Sequence, residues 1–140
     1  MSKATQLVAT VFASFALALL AATQGAAQEE FSGRPGLTGP EGTPAEIATC
    51  DNLRQVVKGF KPVPYERVDL WISGPLTILH TDRVLWYLAV CSEPGIRVMC
   101  VTYSDNGMKL GERVVLAGAM NIQDPKHIVL DPCLASREDE

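Results

Sequence analysis

The residues of this chain with chemistry to offer are few: four cysteines, two histidines and the carboxylates near them. Thiolates can hold a metal, exchange disulfides or close structural bridges, and spacing separates these uses. Cys50, Cys91, Cys100 and Cys133 include no C-x-x-C pair, so neither a zinc knuckle nor a thiol-redox motif is present. An even count of widely spaced cysteines predicts two structural disulfides. His80, Asp82, His127 and Asp131 are the remaining residues from which a small metal or acid–base site could be built. They bring no third ligand at a fixed spacing. His80 and His127 therefore read as surface residues, and no catalytic group, metal or cofactor is expected.

Ser104-Asp105-Asn106 matches one triplet of the penicillin-binding enzymes, whose mechanism also needs a Ser-x-x-Lys nucleophile and a Lys-Thr-Gly strand. Neither occurs here. Asp-Asn-Gly is equally what a tight turn requires, because Asn and Gly tolerate positive φ. A Gly-rich phosphate loop, HExxH and a nucleophile elbow are also missing from the sequence.

The first residues read as an export address. Lys3 precedes an uncharged run over residues 7–22, followed by Gly25-Ala26-Ala27. Cleavage is expected after about Ala27, which makes residues 1–27 a signal peptide and the mature chain periplasmic or secreted. The apolar run falls short of the roughly 20 residues a spanning helix needs, so no stable membrane insertion is expected after cleavage. No cysteine follows it to carry a lipid. Loss of Lys3 takes the net charge from −4 to −5 and leaves 113 residues, enough for one domain. An acidic chain repels phosphate backbones, which argues against nucleic acid as a partner.

Residues 28–43 place Gly33, Gly36, Gly39 and Gly42 at every third position with prolines between them. Four such triplets are too few for a collagen-like assembly, so the stretch reads as a disordered spacer. Thr43, Pro44 and Glu46 then form a helix start signal, and Ile47, Cys50, Leu53, Val57 and Phe60 make one apolar stripe. This predicts an amphipathic helix over 44–59, ended at Gly59, with Lys61-Pro62-Val63-Pro64 as a stiff connector. Five β runs follow, over 67–81, 84–91, 96–103, 112–122 and 127–133, with a bend at Gly74-Pro75 and another at Gly118. Residues 135–140 read as an acidic tail.

Centring the 84–103 hairpin on Ser92-Glu93-Pro94-Gly95 sets Cys91 opposite Ile96 and Tyr87 opposite Cys100. The bulkier set, Val84, Trp86, Leu88, Val90, Met99, Val101 and Tyr103, is then expected to form the core. Both cysteines would point outward, separated by four strand positions or roughly 13 Å, beyond disulfide reach. A Cys91–Cys100 bridge is thereby disfavoured. In the last run Ile128 and Leu130 are expected inward and Cys133 outward.

The stretches Val98-Met99-Cys100-Val101, Leu110-Gly111-Glu112-Arg113-Val114-Val115-Leu116-Ala117-Gly118 and Ile128-Val129-Leu130-Asp131-Pro132-Cys133 resemble the second half of small exported bacterial OB-fold proteins, the tRNA-anticodon-binding-like group. The resemblance covers about residues 67–134. It implies a mainly β fold: a five-stranded OB-like barrel, preceded here by one amphipathic helix, in a single domain over 44–134. Its third and fifth strands lie side by side, which implies Cys100–Cys133 and leaves Cys50 for Cys91. The rival architecture is a cystatin-like α+β sheet wrapped on the helix. OB-folds bind ligands across their second and third strands, so the candidate binding face is Trp71, Leu85, Tyr87 and Thr102, unless the helix covers it.

The expected function is a non-enzymatic binding or interaction module of the bacterial envelope, for another envelope protein or a small ligand. One alternative is an envelope hydrolase or metal-dependent enzyme using His80 and His127. Another, resting on fold analogy, is oligonucleotide or oligosaccharide binding.

Overall fold

The computed structural model describes residues 33–140; the expected signal peptide lies outside them. The strands are β1 (Leu37–Thr38), β2 (Ala48–Thr49), β3 (Asp69–Thr81), β4 (Trp86–Val90), β5 (Arg97–Thr102), β6 (Arg113–Asp124) and β7 (His127–Arg137), with one helix, α1 (Leu53–Val57). The order β3–β4–β5–β7–β6 closes on itself because β6 also pairs with β3. β5 and β7 are parallel, and the other pairs around the ring are antiparallel. This is an OB-like barrel.

β3 pairs with β6 through 69–75 and with β4 through 76–81. The change of partner falls at Gly74-Pro75, where the sequence predicts a bend. Gly74 is required, since a Cβ there would sit 2.8 Å from the Cys50 sulfur. A bulge follows, with Thr77 donating its hydroxyl to the carbonyls of Ala89 and Cys91. Leu70, Ile72, Leu88, Val90, Val98, Leu116, Ile128 and Leu130 fill the interior. Met108 is buried in the 103–112 connection, where Asn106 and Gly107 both adopt positive φ. Ser104-Asp105-Asn106 is therefore a turn, with side-chain caps from Ser104 and Asp105.

Four sequence expectations need correction. The helix spans five residues and not 44–59. Ala48–Thr49 instead pairs with Ile72 and Ser73 of β3, and the Glu46 carbonyl accepts from the Gly36 N–H. The Thr43-Pro44 start signal is overridden because sheet pairing satisfies the same backbone groups while burying Ala48 completely. The spacer is ordered from residue 33 onward. Leu37 is buried, β1 lies along β3, and a Cβ on Gly36 would run into the Trp71 carbonyl oxygen.

The third correction is register. Val90 pairs with Val98 and Leu88 with Cys100, one residue away from the symmetric hairpin. Cys91 takes a left-handed conformation (φ 64°) just past the end of β4, so the turn is asymmetric. β4 keeps its expected parity, but β5 inverts: Val98 and Cys100 point inward, and Met99 and Val101 outward. A second irregularity inverts Cys133. β7 gains one residue between Leu130 and Cys133 relative to β6, so both face inward. Gly118 makes room for this bulge, because a Cβ there would run into the Pro132 carbonyl oxygen.

Two disulfides are present, Cys50–Cys91 and Cys100–Cys133, each with Cα atoms 5.4 Å apart. The second lies inside the barrel, not on its outer wall. The fourth correction concerns the C-terminus: β7 continues to Arg137, Ala135 is buried, and Glu138 pairs with Arg113 and Ser73, so the domain does not stop at 134.

Candidate binding face

The outward residues of 76–81 in β3, with those of β4, β5 and β7, form one continuous surface. Its central row runs Ile78, Ala89, Met99 and Val129 across the four strands. The adjacent row is His80, Tyr87 and Val101. Tyr103, just past the end of β5, is 83% exposed, and Val84 in the β3–β4 turn is 74% exposed. The surface is thus apolar at its centre, where Ala89 is buried and Ile78, Met99 and Val129 are half-buried, and carries three rings at one end.

Of these rings, Tyr87 is held in place. The Asp82 carboxylate accepts from the Val84 and Leu85 N–H groups, which fixes the β3–β4 turn, and from the Tyr87 hydroxyl at 2.8 Å. These backbone donors first, and then the phenol, hold Asp82 below the ordinary carboxylate range. The same bond raises the Tyr87 phenol. His80 lies 6.1 Å from the Tyr87 ring, centre to centre. A ring already locked in its rotamer loses little entropy when a ligand packs on it.

The other end of the face is polar. Arg97 pairs across the ladder with His127, and its N–H donates to the Lys126 carbonyl. Asp124 accepts from the Lys126 N–H at 2.7 Å and from His127 Nδ1 at 2.8 Å, and these contacts, the backbone one first, lower its pKa. Lys126 reaches Glu93 at 3.6 Å.

Of the expected site residues, Tyr87 is on this face and Leu85 is half-buried at its margin. Thr102 is not: it pairs with Trp86, which packs on the core. Trp71 is outward but on another side of the barrel, between β6 and β1, where its cross-strand partner is Ala117. His80 and His127 are not brought together. Their rows meet β5 at Val101 and Arg97, about 13 Å apart along the strand alone. Among the described residues no three His, Cys, Asp or Glu side chains are grouped to hold a metal ion.

Sequence reasoning missed Ile78, Met99, Val101 and Tyr103, since it assigned the β5 members to the core. The signal was Arg97, which shares their parity and whose charge does not belong in a barrel interior. Helix α1 leaves the face open. It packs chiefly against β2, and Arg54 reaches the Pro94 carbonyl at the β4–β5 turn, so it sits by one end of the barrel.

No family profile matches this chain, and no curated protein does either. Among solved structures it is similar to a chain of the S. pombe Stn1–Ten1 complex, with 14% identity, 69% of this chain and 82% of that one covered, and a TM-score of 0.42.

Proposed function

We propose that this protein is an exported, non-enzymatic binding module of the bacterial envelope that holds another protein on the outer face of β3, β4 and β5. The observation that carries this reading is the open surface of Ile78, Met99, Val101, Tyr87, His80 and Tyr103, an apolar centre beside exposed rings of which Tyr87 is fixed by its bond to Asp82. Interface cores are enriched in Tyr and Met, and large apolar side chains in a row are costly to leave wet without a partner. The two disulfides support residence in an oxidising compartment, as does the Lys3–Ala27 leader pattern. Among the described residues no helix is long and apolar enough to cross a membrane.

A protein partner suits the face better than nucleic acid. A single strand needs a cationic track for successive phosphates, and here Arg97 and the ring-bearing row at Val101 are separated by three uncharged residues of β5 in a chain of net charge −4. The test is a photo-crosslinking amino acid at Tyr87 or Val101 in living cells, with Leu134 on another side of the barrel as control. A discrete adduct from the first two positions, lost in Met99→Lys and absent from position 134, is expected. No adduct at either position, or equal adducts at all three, refutes the reading.

A further inference from the structure

Arg97 is the one described residue with a buried side-chain nitrogen or oxygen that finds no partner: its Nε lies out of solvent with no hydrogen bond. It also makes no ion pair among the described residues. The two carboxylates at this end of the face are already engaged, Glu93 with Lys126 and Asp124 with His127. A buried guanidinium donor without an acceptor is unfavourable in the free protein and demands an explanation. Neither of these acids bonds the Arg97 Nε in the structure. An oxyanion arriving from outside would supply that acceptor once the side chain turns its Nε outward, meeting Arg97 with Lys126 and His127 close by.

We propose that Arg97 is the anchor for a carboxylate or phosphoryl group on the partner, seated at the Arg97–His127 end of the face while an apolar or aromatic group packs on Tyr87 and Tyr103. This deepens the protein-binding reading and rests on it. From Val101 to Arg97 the strand advances by about 13 Å, the span of about four residues of extended peptide. A short extended segment of the partner matches this span, with its ring-contacting side chain and its oxyanion about four residues apart. Arg suits this position better than Lys, because its fork offers Nε and Nη in one plane to two oxygens.

The experiment follows the Arg Nε–Hε resonances of the intact, disulfide-bonded protein by NMR during titration with sodium acetate, then separately with sodium phosphate. Sodium chloride at matched ionic strength is the control. The expected result is a saturable shift of Arg97 several-fold larger than that of exposed Arg54 or Arg83. A larger response to acetate identifies a carboxylate as the natural group, and a larger response to phosphate identifies a phosphorylated side chain. An Arg97 shift no larger than the other two, or one reproduced by chloride, overturns the proposal. Arg97→Met is then tested in the crosslinking assay. It should reduce the adduct at Tyr87 about tenfold while leaving the melting temperature no lower than that of the parent. An undiminished adduct with Arg97→Met removes the anchor but leaves the protein-binding reading standing. Loss of the adduct together with a lowered melting temperature assigns Arg97 to the fold and likewise overturns the anchor.

Discussion

The two disulfides close loops of similar length but sit in different surroundings, and this separates their behaviour. With separations of 33 and 41 residues, the chain-entropy relation assigns about 3.7 kcal/mol to Cys100–Cys133 and about 3.9 kcal/mol to Cys50–Cys91. Loop length alone makes them equals. Burial does not: Cys100 and Cys133 are 0% and 6% exposed within the core, whereas in the other pair Cys91 is 4% exposed but Cys50 is only partly buried beside Gly74 and offers a sulfur to attack. A reductant must reach a sulfur, so under native conditions dithiothreitol should open Cys50–Cys91 first, and Cys100–Cys133 only when the barrel opens. Timed alkylation and peptide mass spectrometry read the order directly. The paired variant Cys100→Ala/Cys133→Ala loses the crosslink and leaves a cavity in the core. A loss of 3–4 kcal/mol corresponds to a melting temperature lower by about 12–16 °C for a domain of this size. If Cys100–Cys133 is reduced first in the folded protein, or the paired variant melts within a few degrees of the parent, then the bond is not interior and the inverted parities of β5 and Cys133 are wrong.

Other expectations are simpler. Gly118→Ala should destabilise by about 1–3 kcal/mol, measured by urea unfolding, since its Cβ meets the Pro132 carbonyl and the Cys133 backbone. Ending the chain after Leu134 removes the rows joining Ala135, Ser136 and Arg137 to Leu116, Val115 and Val114, and should cost about 3 kcal/mol at roughly 1 kcal/mol per lost bond. The Tyr87 phenol is held above its ordinary value, so the stability it lends is complete below the unfolded pKa and is lost as pH rises through the folded one. Ultraviolet titration should show a late-ionising phenol that is missing from Tyr87→Phe, and Asp82→Asn should abolish the delay. For Asp82 the sign is opposite: its contribution holds above the unfolded pKa and fades as pH falls through the lowered one. NMR titration should show Asp82 staying below its ordinary value in Tyr87→Phe, because the Leu85 and Val84 amides remain.

Where the strand parities of sequence and structure part company, the cause is a single residue of conformational detail. Apolar alternation located all five barrel strands within a few residues, and Gly74-Pro75 announced the change of partner in β3. Alternation carries no mark for an irregular residue, however, and a β strand has a period of two. Cys91 at φ 64° therefore turned Met99 and Val101 from core into surface, and the extra residue before Cys133 drew that sulfur into the interior. The binding face inherited the first error, losing Met99 and Val101 and gaining Thr102. The shortened helix has a different origin. Thr43, Pro44 and Glu46 are sound local capping signals, but the backbone of 46–49 finds partners in Gly36 and β3 that a local rule cannot see. Leu37 was hidden for the same reason, one apolar residue inside a Gly/Pro repeat.

The covalent links also decide how this chain would answer a pull on its ends. Force entering at the C-terminus can peel β7 only as far as Cys133, and from the N-terminal side the arm can be drawn out only to Cys50. Load then bypasses the stretches between bonded cysteines, and just the segment from Cys91 to Cys100 lies in the tensile path between them. The β4–β5 turn thus acts as the one extensible link in an otherwise short-circuited strand, and a tethered partner would tug on a body that lengthens very little before its sulfur bonds bear the strain.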